Sequence, residues 1–98
     1  MAFSIVWSPT ARLDLWDLLS YIFESNRDAA AKFGLSLFES IERLKESPES
    51  GRTVPEFNEP TIREVIHRPC RIIYRIKRDE KLIEIARIWH AARGIPEI

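Results

Sequence analysis

The chain is 98 residues long, and its fifteen Lys plus Arg balance fifteen Asp plus Glu, so the formal net charge is zero with both histidines neutral. A chain of this length buries roughly 60–70% of the surface its unfolded form exposes, enough for one hydrophobic core and not for two. Its 45% hydrophobic and 31% charged residues exclude a disordered tail, and the single cysteine, Cys70, excludes an internal disulfide and a cysteine-rich metal cage.

One domain over residues 1–98 is therefore expected. No run of about 18 apolar residues is present to span a bilayer, and the N-terminus lacks a basic start followed by a long apolar stretch, so no membrane is implied and the cytoplasm is the simplest location. Along the chain, residues 2–7 (AFSIVW) form an apolar run that fits a buried strand. Ser8 and Pro9 then supply a helix cap and a first-turn proline. Leu15, Leu18, Leu19 and Ile22 recur at helical spacing, which predicts a first helix over about residues 9 to 25.

Asn26, Arg27 and Asp28 interrupt that stripe and open a second helix. Its face is Ala30, Phe33, Leu37, Ile41 and Leu44, and it is expected to end near Ser47 and Pro48. Two helices joined this closely should lie antiparallel. Gly34, costly inside a helix, suggests a close approach of their backbones. Residues 48–61 hold three prolines, a glycine and no periodicity, so they read as a loop. The period then changes to two in IREVIH, CRIIYRIK and LIEIARIWH, which predicts three strands joined by turns at Arg68-Pro69 and Asp79-Glu80. The expected fold is α+β, in the order β-α-α-β-β-β, with two antiparallel helices on one face of a small, mostly antiparallel sheet.

Two-residue turns would place His67 opposite Cys70, Arg63 opposite Tyr74, Arg75 opposite Glu84 and Ile73 opposite Ala86. One face then carries Val65, Ile72, Tyr74, Ile76, Ile83, Ile85 and Trp89 and is apolar enough to hold the helices. The other, open face carries Glu64, Ile66, Arg71, Ile73, Arg75, Glu84, Ala86, Ile88 and His90. Cross-strand ion pairs are available there, with Glu64 diagonal to Arg71 and Arg75. Arg63 and Arg87 fall on the apolar face, which leaves three readings open: rim residues reaching water, partners for Asp14 or Asp17, or a bulge that reverses the parity. Trp7 and Trp89 read as core, while Trp16 lies off the leucine stripe and is the best candidate for an exposed partner-binding aromatic. His67 reads as a turn residue and Cys70 shows no sign of reactivity. Neither histidine has a second His or Cys at ligand spacing, so no metal or other cofactor is expected.

Taken together, AxxDLxxLxxYI (Ala11, Asp14, Leu15, Leu18, Tyr21, Ile22), DAAAKF, SPESGRTVPE, IREV, CRIIYRI and IARIWHAAR resemble the RelE/ParE superfamily of toxins from type II toxin–antitoxin modules, over nearly the whole chain. The resemblance implies a small growth inhibitor neutralised by a cognate antitoxin. It also implies one of two targets: messenger RNA cut on the ribosome (RelE-like) or DNA gyrase (ParE-like).

Carried over from the ribonuclease branch, the RxxY arginine falls on Arg71, the near-terminal histidine on His90 and an acidic loop residue on Glu56. Cleavage of RNA through its own 2′-hydroxyl needs a base, a cation for the phosphate and an acid for the leaving oxygen, and Glu56, Arg71 and His90 match those roles in that order. The tail after His90 has no aromatic to stack on a base and residues 48–70 contain no lysine, whereas HxxR and GRTVPE look more like the ParE-like branch. The ParE-like, gyrase-directed reading is therefore preferred, with the nuclease as the alternative and a non-toxic, antitoxin-binding orphan as the third. Arg52, Arg71, Arg75, His90 and Arg93 are the candidate partner-binding residues, Arg being suited to bidentate carboxylate contacts with an acidic antitoxin segment. Residues 1–60 hold six basic and ten acidic side chains and residues 61–98 nine and five, so a neutral chain is split into an acidic helical part and a basic β part.

Overall fold

The computed structural model describes residues 2–98. Strand β1 (Ser4–Trp7) leads through Ser8 into α1 (Pro9–Ser25), and Asn26 alone separates α1 from α2 (Arg27–Glu42). Both helix starts are capped as the sequence predicts: the Ser8 hydroxyl accepts from the Ala11 N–H, and Asn26 Oδ1 accepts from the Ala29 N–H. The second helix stops at Glu42, short of the expected Ser47, because the chain tightens into a 3-10 turn over Arg43–Lys45 that still buries Leu44.

The rest is β: β2 (Arg52–Thr53), β3 (Ile62–His67), β4 (Cys70–Lys77) and β5 (Leu82–His90). The five strands form one sheet in the order β1-β5-β4-β3-β2. All neighbours run antiparallel except β1 and β5, whose parallel pairing the intervening helical pair makes possible. The expected α+β architecture holds, with β2 as an added short edge strand inside the segment that reads as loop.

Gly34 does not mark a backbone-to-backbone contact. A Cβ there would meet only the two methyls of Leu19, at 3.5 and 3.6 Å. The tight glycine is Gly51 just before β2, where a Cβ would lie 2.5 Å from both the Glu64 carbonyl oxygen and the Tyr74 hydroxyl. Its N–H donates to the Tyr74 hydroxyl at 3.1 Å, and that hydroxyl donates to the Pro48 carbonyl at 2.7 Å, so the fully buried tyrosine fastens this segment to the sheet.

The register follows the sequence over most of its length: His67 faces Cys70, Arg63 faces Tyr74 and Arg75 faces Glu84. It then slips. Tyr74 faces Ile85, but Ile73 faces Arg87 rather than Ala86, so Ala86 forms a bulge. The cause lies at the β1–α1 junction. Ser8 donates its N–H to the Ile85 carbonyl and its hydroxyl to the Ala86 carbonyl, both at 2.9 Å, while Asp14 Oδ2 accepts the Ile88 N–H at 3.0 Å.

Beyond the bulge the faces exchange. Ile88 joins the helix-side core of Ala11, Leu37, Ile41, Leu44, Ile72, Tyr74, Ile76, Ile83 and Ile85. Trp89 moves to the opposite face, where it packs with Val54, Ile73 and Ala86 under Phe57 and Ile62. The face expected to be open therefore has a second, smaller core, roofed by residues of the 48–61 segment.

Candidate functional site

The roof begins with Val54, which is fully buried and whose carbonyl accepts the N–H groups of Phe57 and Asn58. That turn, with Pro55 and Glu56 inside it, fixes Glu56 above the sheet. Its carboxylate takes both terminal nitrogens of Arg71, at 3.0 and 2.7 Å, in a bidentate pair. The third guanidinium nitrogen, Nε, donates to Glu64 Oε1 at 2.5 Å, and the other Glu64 oxygen accepts from Arg52 Nε at 2.7 Å. Glu56, Arg71, Glu64 and Arg52 thus form a chain of alternating charge whose two central side chains are buried, Arg71 at 10% exposure and Glu64 at 0%.

The electrostatics follow from this geometry. The Arg71 hydrogen bonds hold the Glu56 carboxyl below the usual carboxylate range, and the two carboxylates raise the Arg71 guanidinium further, so the ion pair stays charged at neutral pH. Glu56, Arg71, Arg52 and His90 line one open groove of about 590 Å³, together with Arg68, Ile66 and Pro69. Four of the sequence candidates therefore meet in one place.

His90 sits there differently from expectation. The bulge puts it opposite Cys70 on the helix-side parity, and its exposed ring spends Nδ1 in accepting the Ala92 N–H at 3.1 Å, capping the short turn that follows β5.

Arg75 and Arg93 do not join the groove. Arg75 is paired across strands with Glu84 at 3.0 Å, as the register predicts. Arg93 stacks on Trp89, 4.0 Å from the ring centroid, and borders a separate hollow of about 260 Å³ with Asp14, Asp17, Tyr21 and His90. Of the alternatives for Arg87, two hold at once. It forms a bidentate pair with Asp14 at 2.8 and 3.0 Å, and it follows a parity-reversing bulge. Arg63 is a rim residue that donates to the carbonyls of Pro60 and Gly51.

Arg68, in the lining of the groove, and Glu64, buried behind Arg71, are the residues that sequence reasoning passed over as a site. The diagonal of Glu64 to Arg71 was visible in the register. Its burial was not, because that depends on the roof. Burial raises the Cys70 thiol above its ordinary pKa, with the Asp14 charge adding to the effect, which fits an unreactive cysteine.

A second surface lies on the far side of the helices. Trp16 is 71% exposed, as its position off the stripe predicts, and with Phe23, Leu19, Ala30 and Ala31 it lines an apolar groove of about 610 Å³ along the helical pair. No helix among the described residues is long and apolar enough to cross a membrane.

Comparison with known proteins fits these features. The chain is 29% identical over 92 residues to a protein named Toxin RelE1 of Caulobacter vibrioides, covering 92% of this chain and 95% of that one. Among solved structures it resembles a chain of the chromosomal ParDE toxin–antitoxin system of P. aeruginosa, with a TM-score of 0.73 and 24% identity over 91% of this chain and 96% of that one. It also resembles a chain of the RelBE2 toxin–antitoxin complex of Mycobacterium tuberculosis, with a TM-score of 0.60 and 21% identity over 92% and 99% of the two chains. Residues 5–95 match the family described as the ParE toxin of the type II toxin–antitoxin system parDE, and the chain belongs to that family within the RelE/ParE superfamily.

Proposed function

We propose that this toxin is held by a cognate antitoxin and, when released, inhibits DNA gyrase by binding rather than cutting RNA. The observation that carries this reading is the state of Arg71. An RNA-cleaving site needs a cation free to meet the charge that develops on phosphate. Here all three guanidinium nitrogens are engaged by Glu56 and Glu64. Glu56, whose carboxyl is held down by the same pair, is a weak base for a 2′-hydroxyl, since a general base works best with a pKa near the working pH. The formal net charge of zero gives no general attraction to ribosomal RNA.

The antitoxin is assigned to the Trp16 groove, where an amphipathic helix can lay its apolar face along Leu19 and Phe23. Arg52 and Arg68 at the first groove offer charge to an acidic segment.

The RelE-like alternative draws on one observation, that Glu56, Arg71 and His90 line the same groove. A single pair of assays separates the readings. Purified toxin is expected to inhibit gyrase supercoiling, and primer extension on messenger RNA after induction is expected to show no cuts in translated codons. Cuts that Arg71→Ala abolishes, with gyrase unaffected at large molar excess of toxin, would establish the nuclease instead. Absence of any growth defect on induction without antitoxin would identify a non-toxic orphan.

A further inference from the structure

The two edges of the sheet are finished differently. On the β2 side the edge strand has two residues, one of them Arg52, and the chain on either side of it is pinned by Tyr74 below Gly51 and by Val54 in the roof. Short length, charge and covering segments are the usual devices that stop an edge from recruiting another strand. On the β1 side charge is absent and cover is partial: the strand has four residues, and the Lys45 carbonyl meets the edge at Phe3, outside them. Ser4, Ile5, Val6 and Trp7 contain no charge, no proline and no bulge.

The backbone of β1 has a definite direction. Ser4 and Ser8 donate their N–H groups to Lys81 and Ile85 of the neighbouring strand region, so in a parallel ladder the alternate residues, Ile5 and Trp7, direct their N–H and C=O groups away from β5. Phe3 shares that outward direction and its N–H is satisfied by the Lys45 carbonyl at 2.9 Å, which closes the edge on that side. What stays open is a window over residues 5–7. Val6 at its centre is 40% exposed, and Phe38, 45% exposed, flanks the window through its contact with Trp7 at 5.8 Å between ring centroids.

We propose that this window is a self-association surface, and that two copies of the free toxin join β1 to β1 in antiparallel fashion about a two-fold axis at Val6. The occupant is a second copy because the window is complementary to itself. Centred on Val6, Ile5 of one copy faces Trp7 of the other, and each such pair exchanges both of its N–H···O bonds. Val6 then faces Val6 in the close, non-hydrogen-bonded position, where apolar side chains gain most from contact. The open window is just long enough for this register, and Lys45 blocks its extension past Phe3. A formal net charge of zero leaves no long-range repulsion between copies. Since the β2 edges are already blunted, the pairing closes at two copies instead of growing into a fibre. The short contact implies weak, concentration-dependent dimers.

Sedimentation velocity and amide hydrogen exchange on the free full-length chain, from about 10 to about 500 µM, test this. The sedimentation coefficient should rise with concentration, and the Ile5 and Trp7 amides should become protected by at least about tenfold over the same range. Val6→Lys should remain monomeric, because it sets like charges face to face while its side chain stays outside the core. An equimolar mixture of Val6→Lys and Val6→Glu should dimerise again, which neither variant does alone, and this rescue distinguishes lost pairing from lost folding. A wild type that stays monomeric throughout would overturn the proposal, as would a dimer that Val6→Lys leaves intact. Protection of Ile5 and Trp7 only on adding antitoxin, with the free chain monomeric, would assign the edge to a foreign strand and equally overturn it.

Discussion

The sheet has two covered faces, and they are covered by different physics. Under the helices lies an apolar layer in which Leu37, Ile41, Ile72, Tyr74, Ile83 and Ile85 are buried at 2% exposure or less. On the opposite face a four-residue apolar cluster is buried beside two ionised side chains, Glu64 and Arg71, beneath a segment with almost no regular structure. The first face gains from area removed from water and tolerates small rearrangements. The second depends on partners, because a buried charge that loses its counter-ion is left in a medium that cannot solvate it.

The most forceful way to break the comparison is to remove one member of the buried pair. Arg71→Met alone should destabilise the chain by about 3–5 kcal/mol, because it leaves the buried Glu64 carboxylate with Arg52 alone and takes the bidentate partner from Glu56, and Glu64→Gln by about 1–3 kcal/mol, because Arg71 keeps Glu56; both are read as falls in the urea midpoint. The double variant Glu64→Leu with Arg71→Met should recover much of that loss, since a well-packed apolar pair of similar volume can replace a buried ion pair. A double variant no better than the sum of the singles would mean that the second face is held by packing after all.

Truncating adjacent residues on β4 compares the faces directly. Ile72 and Ile73 are both fully buried but point in opposite directions, one into the helix-side core and one beneath Val54 and Trp89. Ile72→Ala should cost about 4 kcal/mol and Ile73→Ala about 2–3 kcal/mol, because the roof over Ile73 can settle into the cavity while a helix held by many contacts cannot. Equal urea midpoints for the two variants would show that the roof is as stiff as the helices.

This difference in construction is also why one face was legible in the sequence and the other was not. Helix-side residues announce themselves by period: Leu37 and Ile41 in α2 with Leu44 in the turn that follows it, and Ile72, Tyr74 and Ile76 in β4. Cross-strand register was equally readable from the turns, down to the pairing of Arg75 with Glu84. The bulge at Ala86 was not, because it answers to Ser8 and Asp14, more than 70 positions away, and no local pattern encodes that. The slip moved Trp89 and Ile88 to opposite faces and gave His90 the role of a cap. Within the site, a family resemblance brought Glu56, Arg71 and His90 to notice. That Glu56 and Arg71 neutralise each other follows from the Val54 turn, which aperiodic sequence does not reveal.

Acid should loosen the second face before the first. Glu56 titrates lower in the folded chain than its unfolded value of about 4.3, chiefly because Arg71 hydrogen-bonds its charged form. Its contribution is therefore fully present above about pH 4.3 and is lost as pH falls through the lower, folded value. Urea midpoints measured from pH 7 to pH 3 should show wild type and Glu56→Gln differing at neutral pH and converging at the acid end. Ile72→Ala should keep its deficit across the same range, since no titrating group enters its cost. A Glu56→Gln deficit that does not narrow with acid would remove the ion pair from the account of the roof.

The smallest effect, and the one of opposite sign, concerns how closely the helical layer is packed. Gly34 lies inside α2 and is buried, but a methyl group placed there would touch only Leu19, at ordinary van der Waals distance. Alanine in place of glycine in a helix interior gains roughly 1 kcal/mol, partly because the unfolded chain has less freedom to lose. Against that stands a small adjustment of the Leu19 side chain. Gly34→Ala should therefore raise stability by about 0.5 kcal/mol, a shift of roughly 2–4 °C in the thermal midpoint for a chain of this size. The matching change at Gly51 should be sharply destabilising, because there a Cβ would strike the Glu64 carbonyl and the Tyr74 hydroxyl at 2.5 Å, one of them unyielding backbone. Two glycines answering the same substitution with opposite signs would locate the tight tolerance of this fold between β2 and β4. A loss of stability at Gly34 would place it between the helices as well.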